Sequence, residues 1–392
     1  MKKTSRLLLK QIKLAAKGFP ALVLTGPRRC GKTYLLKHGL TQANYVLLED
    51  PDVLARVRAD PRAFVDALEL PVILDEIQNA PELFGYVRTR IDAQPRKMGQ
   101  WFFTGSQEAP LMQGVVESMA GRAAMFQLLP LSIEESELVT PLNGGYPEVL
   151  AKPANRRLWF SSYVQTYLER DVRALLNVRD LSTFRRCISL LATRHAQSLN
   201  RTDLASPLGV SIPTIGEWLS VLETTGLILL VPPYFENAGK RLIKAPKIYF
   251  TDSGLVCHLL GIESQAELKR SPFLGAITEG IVAAELAKTM INRGLRRELY
   301  YFRDQQGLEV DFVLPFAGNT YLIEVKATST PLPTMAKPML ALAKGLAPKQ
   351  TQSILVYSET RSTPAMCGLA PGVSAMTLRQ LIASLAKLRP AN

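Results

Sequence analysis

Cysteine and histidine are scarce in this sequence. Its 392 residues include only four cysteines and three histidines. The cysteines are far apart and form no CxxC pair: Cys30, Cys187, Cys257 and Cys367. Neither a zinc site nor a disulfide framework is therefore expected, and a reducing cytoplasmic location is the compartment that this composition predicts.

Long apolar runs are absent as well. None reaches the roughly 18 to 20 residues that a membrane-spanning helix needs, so no membrane partner is expected. Near the N-terminus, Lys10 and Lys13 interrupt the apolar residues that begin at Leu7. That pattern predicts a basic amphipathic helix rather than a signal peptide.

Acidic residues are too few to balance the basic ones, and the imbalance is uneven along the chain. The formal net charge is +13. Residues 1–20 contribute +6 and residues 21–150 contribute −4, whereas residues 151–260 and 261–392 contribute +6 and +5. A basic distal half suits a polyanion such as DNA, although positive charge can also serve solubility alone. The length favours more than one core, and we expect domains at 1–150, 151–260 and 261–392.

The strongest local signal is the stretch ALVLTGPRRCGKTYLLKHGL. Residues 21–25 predict a buried strand, residues 34–40 predict a helix, and residues 26–33 between them fit the phosphate-loop pattern GxxxxGK[ST] at every position. Lys32 is expected to contact the β and γ phosphates of ATP, and Thr33 is expected to ligate Mg²⁺. Backbone N–H groups and the helix N-terminus should hold the phosphates. The nucleotide-binding residues that the motif predicts are Gly26, Pro27, Arg28, Arg29, Cys30, Gly31, Lys32, Thr33 and Tyr34.

An acidic strand end follows in PVILDEIQNAP. Residues 72–74 predict a buried strand that ends in Asp75 and Glu76. We expect Asp75 to help hold Mg²⁺ and Glu76 to polarise the attacking water. The next apolar strand, in QWFFTGSQE, places Thr104 or Ser106 where a sensor of the γ-phosphate is expected. A plain strand-to-turn transition is the alternative for each.

A family resemblance rests on the order of five motifs: GPRRCGKT, LDEIQNAPELF, FTGSQ, MAGRAAMFQLLPLS and GGYPEVL. This order resembles a group of prokaryotic AAA-type ATPases in which a C-terminal domain of formerly unknown function follows the ATPase, and the resemblance covers nearly the whole chain. It implies that Arg122, after Gly121, senses charge in its own subunit or in a neighbouring one. A local salt bridge of Arg122 is the alternative. Action on a neighbour would require a homo-oligomer, for which a hexameric ring is one form.

The middle of the chain combines helical and strand patterns. Residues 156–180 predict a long helix, on which residues 169–171 also resemble the family; a solvated face and a subunit contact are both open. Residues 181–260 resemble a winged helix-turn-helix, with His195 interpreted as a helix-end residue, Thr202 and Ser211 as helix caps, and Gly209 at the turn. DNA contacts are expected from Thr214 on the recognition helix, which follows the short second helix, and from four cations on the wing, Lys240, Arg241, Lys244 and Lys247. Winged helices also serve protein contacts alone.

The C-terminal region carries acids and a lysine on successive predicted elements. An amphipathic helix contains Glu279, a hairpin contains Asp311, and the next strand contains Glu324 and Lys326 on one face. The element order α-β-β-β-α-β resembles the PD-(D/E)xK nuclease core. Asp311 and Glu324 would hold Mg²⁺, Lys326 would orient the attacking water, and Glu279 would complete the set.

The sequence thus predicts an α/β multidomain protein with an AAA-type ATPase domain, a winged helix-turn-helix and a nuclease-like domain. The leading hypothesis is an ATPase, with ATP and Mg²⁺ as cofactors, that remodels or moves on DNA, with branched DNA as one candidate substrate. In it the nuclease-like domain is a DNA-binding platform. Two alternatives stay open: an ATP-gated, Mg²⁺-dependent DNA nuclease, and a nucleotide-controlled switch that docks a protein partner.

Overall fold

The computed structural model describes residues 5–105, 118–167, 181–234, 245–346, 350–358 and 366–388. Its α-helices are α1 (Leu8–Ala15), α2 (Lys32–Gly39), α3 (Pro51–Ala59), α4 (Pro61–Asp66), α5 (Leu83–Ala93), α6 (Pro147–Ala151), α7 (Arg156–Tyr167), α8 (Leu181–Thr193), α9 (Arg201–Leu208), α10 (Ile212–Thr224), α11 (Ser253–Leu259), α12 (Gln265–Arg270), α13 (Leu274–Ile291), α14 (Lys337–Ala343) and α15 (Leu378–Lys387). Its strands are β1 (Ala21–Thr25), β2 (Asn44–Leu47), β3 (Val72–Asp75), β4 (Trp101–Thr104), β5 (Ala123–Gln127), β6 (Gln197–Ser198), β7 (Ile228–Val231), β8 (Lys247–Phe250), β9 (Tyr300–Arg303), β10 (Glu309–Phe316), β11 (Asn319–Lys326), β12 (Thr351–Tyr357), β13 (Cys367–Ala370) and β14 (Val373–Thr377).

The N-terminal part is a parallel sheet in the order β2-β3-β4-β1-β5. Strand β1 is buried along its whole length, as predicted, because helices and loops cover both faces of a parallel sheet. Its residues alternate between two cores: Ala21 and Val23 join one, and Leu22 and Leu24 join the other. The predicted basic N-terminal helix is confirmed as α1, which buries Leu8 in the second of these cores.

A unit of three helices and three short strands occupies the middle of the chain. Helices α8, α9 and α10 pack over an antiparallel sheet in the order β6-β8-β7. Ser211 caps α10 and Gly209 ends α9 in a left-handed conformation, both as predicted. The predicted cap Thr202 is wrong by two residues, because the side chain of Asn200 accepts the hydrogen bond from the Thr202 N–H.

The C-terminal part is a six-stranded mixed sheet in the order β13-β14-β12-β11-β10-β9. Strands β9, β10 and β11 form an antiparallel meander, and β12 then runs parallel to β11. Helix α13 packs on one face and α14 on the other. Sequence reasoning missed strands β13 and β14, which extend the sheet beyond β12.

The three parts are packed against each other through shared apolar and polar contacts. One core contains Leu131 from the N-terminal part, Leu229 and Tyr249 from the three-stranded sheet, and Leu286 from α13. Asp252 accepts a hydrogen bond of 2.7 Å from the Gly145 N–H across this junction. Among the described helices, none is both long and apolar enough to cross a membrane.

Candidate functional site

The phosphate loop joins the carboxyl end of β1 to the N-terminus of α2. Gly26 has φ of +140°, and a Cβ at this position would lie 2.0 Å from the carbonyl oxygen of Leu128, so the loop passes too close to that backbone for any side chain. Gly31, with φ of +99°, turns the chain into α2. The Lys32 ammonium is 6% exposed and donates to the carbonyls of Gly26 at 2.9 Å and Pro27 at 3.0 Å. This places the cation within the loop itself.

Asp75 is the centre of a hydroxyl network at the ends of β1, β3 and β4. Its Oδ2 accepts from Thr33 Oγ1 at 2.9 Å and from the Tyr45 hydroxyl at 2.7 Å, and its Oδ1 accepts from Thr104. The meeting of Thr33 and Asp75 brings together two oxygen ligands of the kind that Mg²⁺ prefers, so these residues fit the expected metal. Tyr45 was missed because its role depends on the pairing of β2 with β3. Burial and the hydrogen bond to Asp75 raise the pKa of Tyr45.

Glu76 follows β3 in a left-handed conformation, with φ of +57°. Its backbone N–H donates to Thr104 Oγ1 at 3.4 Å, and its carboxylate accepts from the side-chain amide of Gln78. Such a conformation is uncommon for a residue with a side chain and recurs at functional sites. Thr104 thus lies beside Asp75 and Glu76, and its predicted role as a γ-phosphate sensor stays a prediction, while Ser106 lies outside the described residues.

The loop and the acids border a cavity of about 600 Å³. Its lining includes most of the predicted nucleotide-binding residues, together with Glu49 and Glu76. Five further lining residues had no predicted role: Arg6, Leu131, Pro147, Glu148 and Ala151. Leu131, Pro147 and Ala151 give one wall an apolar surface, which suits a nucleotide base. Pro147 and Glu148 belong to the GGYPEVL motif of the family resemblance, but the residue types of that motif do not by themselves indicate a role in nucleotide binding.

Arg6 and Glu148 are the charged residues of that additional wall. Arg6 donates to the carbonyls of Cys30 at 3.2 Å and Leu129 at 2.6 Å, and its Nε lies 3.1 Å from Glu135. Glu148 lies 3.8 Å from Arg29 of the phosphate loop. Burial raises the pKa of Glu148 more than Arg29 lowers it. Through the hydrogen bond from Arg6 to Cys30, the segment directly before α1 is therefore in contact with the phosphate loop.

Arg122 lies away from the cavity-lining residues and forms a two-point ion pair with Asp92. The contacts are 2.7 Å from Nε to Oδ1 and 2.9 Å from Nη2 to Oδ2. The hydrogen bond to Arg122 lowers the pKa of Asp92. The local salt bridge that the sequence left open is thus present, and both partners are on the surface, where a neighbouring subunit can also reach them.

A second polar cluster gathers the predicted residues of the C-terminal region, and we call it the acid cluster: Glu279, Glu309, Asp311, Glu324, Lys326 and Lys247. A bulge in the pairing of β10 with β9 spans Asp311, which turns this side chain inward. Asp311 Oδ2 accepts a hydrogen bond of 2.8 Å from the Val325 N–H, and Lys326 Nζ lies 2.6 Å from Glu324 Oε1.

The expectation that Lys247 contacts DNA from a wing is wrong. Its side chain is 4% exposed and its ammonium enters the acid cluster, 3.0 Å from Glu279 Oε1, 2.6 Å from Glu309 Oε1 and 3.9 Å from Asp311 Oδ1. The physical reason is strand alternation: Lys247 and Tyr249 lie on the same face of β8, and the Tyr249 hydroxyl also donates to Glu279 at 2.5 Å. Sequence reasoning missed Glu309 and Tyr249 as members of this network.

Burial and mutual repulsion raise the pKa of three acids of the cluster, Glu279, Asp311 and Glu324. Burial and the charge of Asp311 raise the pKa of both Glu279 and Glu324 to about 7. Burial likewise raises the pKa of Asp311 more than Lys247 lowers it. Burial by itself lowers the pKa of Lys247, but the charges of Glu279, Asp311 and Glu309 outweigh it and raise the pKa. The lysine therefore stays charged while the acids titrate around it.

The acid cluster does not fit the Mg²⁺ that the sequence predicts at Asp311 and Glu324. Within the described ranges, no three His, Cys, Asp or Glu side chains are placed to hold a metal ion. At an effective dielectric constant of ~20, a divalent ion 3 Å from an ammonium is repelled by about 11 kcal/mol, and hard-cation sites use oxygens without a cation among them.

The residues predicted to contact DNA are only partly described. Thr214 is half-buried in the first turn of α10, where its hydroxyl lies 2.8 Å from that of Ser211. Ile212 beside it is exposed. Three of the wing cations, Lys240, Arg241 and Lys244, lie outside the described residues, as do residues 169–171 of the predicted long helix.

The parallel sheet, phosphate loop and acidic strand end define an AAA-type ATPase domain within an α/β multidomain chain. In agreement, residues 18–137 match the family described as an AAA domain. Residues 140–266 and 274–378 match two domains of unknown function, DUF8612 and DUF4143.

Uncharacterized proteins of Mycobacterium tuberculosis and Mycobacterium bovis are each 34% identical to the chain over 320 residues, which cover 80% of this chain and 71% of each relative. The chain belongs to the family of these two proteins.

Two solved structures are similar at lower levels. A Walker-type ATPase of Pyrococcus abyssi is 16% identical, with a TM-score of 0.41, and the match covers 64% of this chain and 94% of that chain. RuvB of Thermotoga maritima is 16% identical, with a TM-score of 0.29 and coverage of 57% and 89%. These TM-scores are too low to carry a conclusion about function.

Proposed function

We propose that this protein binds and hydrolyses ATP with Mg²⁺ and uses the hydrolysis to act on DNA. The observation that carries the first half is the hydrogen-bonded meeting of Thr33, Asp75 and Thr104 at the carboxyl edge of the parallel sheet, beside the phosphate loop whose carbonyls hold Lys32. Glu76 borders the same cavity. These are the positions at which phosphoryl transfer needs a cation, metal ligands and a group that polarises water.

Each residue of the cavity takes one task in this proposal. Lys32 exchanges its loop carbonyls for phosphate oxygens and offsets their charge, and the backbone N–H groups of the loop orient the same phosphates. Thr33 and Asp75 would hold Mg²⁺, which when bound offsets charge on the β and γ phosphates. Glu76 accepts hydrogen bonds from water on the far side of the γ-phosphate and aligns it for attack.

The proposed DNA contact rests on the unit of three helices and three strands. Its order, α8-β6-α9-α10-β7-β8, and its antiparallel sheet support the proposal of a winged helix, in which the third helix of the unit would be the recognition helix. The start of that helix is accessible, since Ile212 is exposed and Thr214 half-buried. The net charge of +6 on residues 151–260 supports a polyanion partner.

The C-terminal sheet supports a second DNA-facing role in the same proposal. An antiparallel meander β9-β10-β11 followed by a helix and by β12 parallel to β11 matches the core arrangement of PD-(D/E)xK nucleases. We propose that this domain grips DNA as a platform and that the ATPase works as a homo-oligomer. If the basic residues serve only solubility, in contrast, the protein should show no salt-dependent DNA binding.

The test measures ATP hydrolysis and DNA binding on linear, single-stranded and branched DNA. Lys32→Ala should lower the hydrolysis rate by about 10²- to 10³-fold, because it removes a preorganised charge at the transferring phosphate. Lys10→Ala, which removes an exposed lysine from α1, is the matched control and should keep the wild-type rate. Absence of hydrolysis in the wild type would refute the ATPase. Hydrolysis without any DNA stimulation or salt-dependent DNA binding would refute only the DNA part.

An ATP-gated DNA nuclease is the second candidate: Asp311, Glu324 and Lys326 meet in one cluster, which favours it, whereas the Lys247 ammonium beside Asp311 counts against a metal there. It predicts Mg²⁺-dependent cutting that Asp311→Asn abolishes while ATP hydrolysis continues. Intact DNA after incubation of the wild type with ATP, Mg²⁺ and each DNA shape would refute this candidate.

A further inference from the structure

We propose that the ammonium of Lys247 is the resident cation of the acid cluster and takes the place that a divalent metal ion has in PD-(D/E)xK nucleases. The proposal does not depend on DNA binding or on ATP hydrolysis. It rests on the position of the Lys247 side chain, which extends from the three-stranded sheet to three carboxylates outside that sheet. Its Nζ lies 3.0 Å from Glu279, 2.6 Å from Glu309 and 3.9 Å from Asp311.

The ammonium is built into the fold rather than laid on its surface. Lys247 begins β8, whose register against β7 and β6 fixes where the side chain leaves the backbone. Its ammonium also lies 5.5 Å from the centre of the Tyr301 ring. The Tyr301 hydroxyl donates to the Ala245 carbonyl, two residues before Lys247, which fixes the start of the strand against β9. Contacts with neighbouring residues therefore fix both the backbone and the ammonium of Lys247.

The oxygens of the cluster are already committed to this arrangement. Asp311 Oδ2 accepts from the Val325 N–H, and its Oδ1 faces Lys247. Glu279 Oε1 accepts from both Lys247 and Tyr249, and Glu324 Oε1 pairs with Lys326. Among the described residues, Glu324 Oε2 is the one buried carboxylate oxygen of the cluster that has no hydrogen-bonding partner. One oxygen does not make a site for a cation that needs about six ligands.

The cation and its acids come from different parts of the chain. Lys247 belongs to the three-stranded sheet, whereas Glu279 is on α13 and Asp311 is on β10. The cluster is thus an ionic contact between two parts of the fold. Removing the ammonium leaves the three carboxylates that it contacts, Glu279, Glu309 and Asp311, without their cation, and we expect them to rearrange around a divalent ion.

The test is Mn²⁺ binding to the full chain without nucleotide, measured by electron paramagnetic resonance of free Mn²⁺ at pH 8. Lys247→Ala should bind about one more Mn²⁺ per chain than the wild type, since the carboxylates then lack their cation. The double variant Lys247→Ala with Asp311→Asn should lose that ion. Mn²⁺ bound at Thr33 and Asp75 is common to all these proteins and cancels in the comparison.

Lys326→Ala is the matched control, because it removes a cation from Glu324 but leaves Lys247 in place. It should bind no additional Mn²⁺. Lys247→Met, an unbranched neutral side chain of nearly the same length, replaces Lys247→Ala if circular dichroism shows that the alanine variant does not fold. The proposal is overturned if Asp311→Asn alone lowers Mn²⁺ binding below the wild-type value, since the wild type would then hold a metal in the cluster. An unchanged Mn²⁺ count in the folded Lys247 variant also overturns it.

Discussion

Gly280 sits where helix α13 crosses the buried ring of His195, one residue after Glu279. A Cβ added at Gly280 would lie 1.7 Å from His195 Nε2, 2.6 Å from Cε1 and 2.8 Å from Cδ2. The ring cannot retreat freely, because its Nδ1 accepts a hydrogen bond of 3.2 Å from the Phe250 N–H. We therefore expect Gly280→Ala to destabilise the protein, although alanine is the better helix former.

The magnitude follows from three opposing contributions. Alanine in a helix interior is favoured over glycine by about 1 kcal/mol. Overpacking a closed core costs about 1–3 kcal/mol, and displacing the ring from the buried Phe250 N–H costs about another 1–3 kcal/mol. Subtracting the helix preference leaves a net loss of about 1–5 kcal/mol for Gly280→Ala.

The sign should reverse when the ring is absent. In a His195→Ala background the added methyl group meets no imidazole, so Gly280→Ala should stabilise the protein by up to about 1 kcal/mol. Urea unfolding followed by circular dichroism measures all four proteins of this cycle. Gly275→Ala, in the same helix with no atom within 4 Å of the new Cβ, is the control and should have the same sign in both backgrounds. The same sign for Gly280→Ala in both backgrounds would refute the reasoning.

Three further outcomes are expected. Burial lowers the pKa of His195 to about 3, so between pH 6.5 and pH 3 only the unfolded chain binds a proton at this residue. The free energy of unfolding therefore falls by up to about 1.4 kcal/mol per pH unit as the pH is lowered through this range. The thermal midpoint of His195→Gln should accordingly fall less steeply with acid than that of the wild type. Asp252→Asn should cost about 1–3 kcal/mol in urea unfolding, because an amide cannot accept from both the Gly145 and Leu255 N–H groups as the two carboxylate oxygens do; an unchanged urea midpoint would contradict this. If the protein works as the proposed homo-oligomer, Arg122→Ala should lower ATP hydrolysis while Asp92→Ala does not, and equal rates for the two variants would show that the pair is only a local salt bridge.

The phosphate loop could be predicted from the sequence because its chemistry is local. Eight consecutive positions fix the glycines, the lysine and the hydroxyl, and the strand and helix around them follow from short-range patterns. The contact of Thr33 with Asp75 needs one further step, which the strand order of parallel sheets supplies. Tyr45 and Arg6 need tertiary pairing that no local pattern encodes, and both were missed.

Lys247 shows the opposite case. Four cations within a short stretch predict an exposed hairpin tip, and this composition is informative for residues that face solvent. The register of β8 decides the outcome instead, because a strand turns successive side chains to opposite faces. Lys247 and Tyr249 face the acids of the neighbouring sheet, while Ile248 and Phe250 face the core of the helical unit. What each face of a strand packs against cannot be predicted until the partner strands are known.

Strands β13 and β14 were missed for a related reason. Each is short, and β13 contains Gly368, which weakens the local strand signal. Their stability comes from pairing β14 with β12 and from the apolar residues that they add to the core under α14. Helix α15, in contrast, carries a capping box at Thr377 and Gln380, which is a local signal for the start of a helix.

The position of Lys247 also bears on how such a chain can change by recombination. A crossover between related genes that falls before Lys247 transfers the lysine and its acids together. A crossover between Lys247 and Glu279 joins acids from one parent to whatever residue the other parent has at the start of β8, and a mismatch leaves buried like charges without a counter-ion. The two parts of the fold are therefore inherited as one electrostatic unit, and hybrids should survive only where both parents carry a cation at this position.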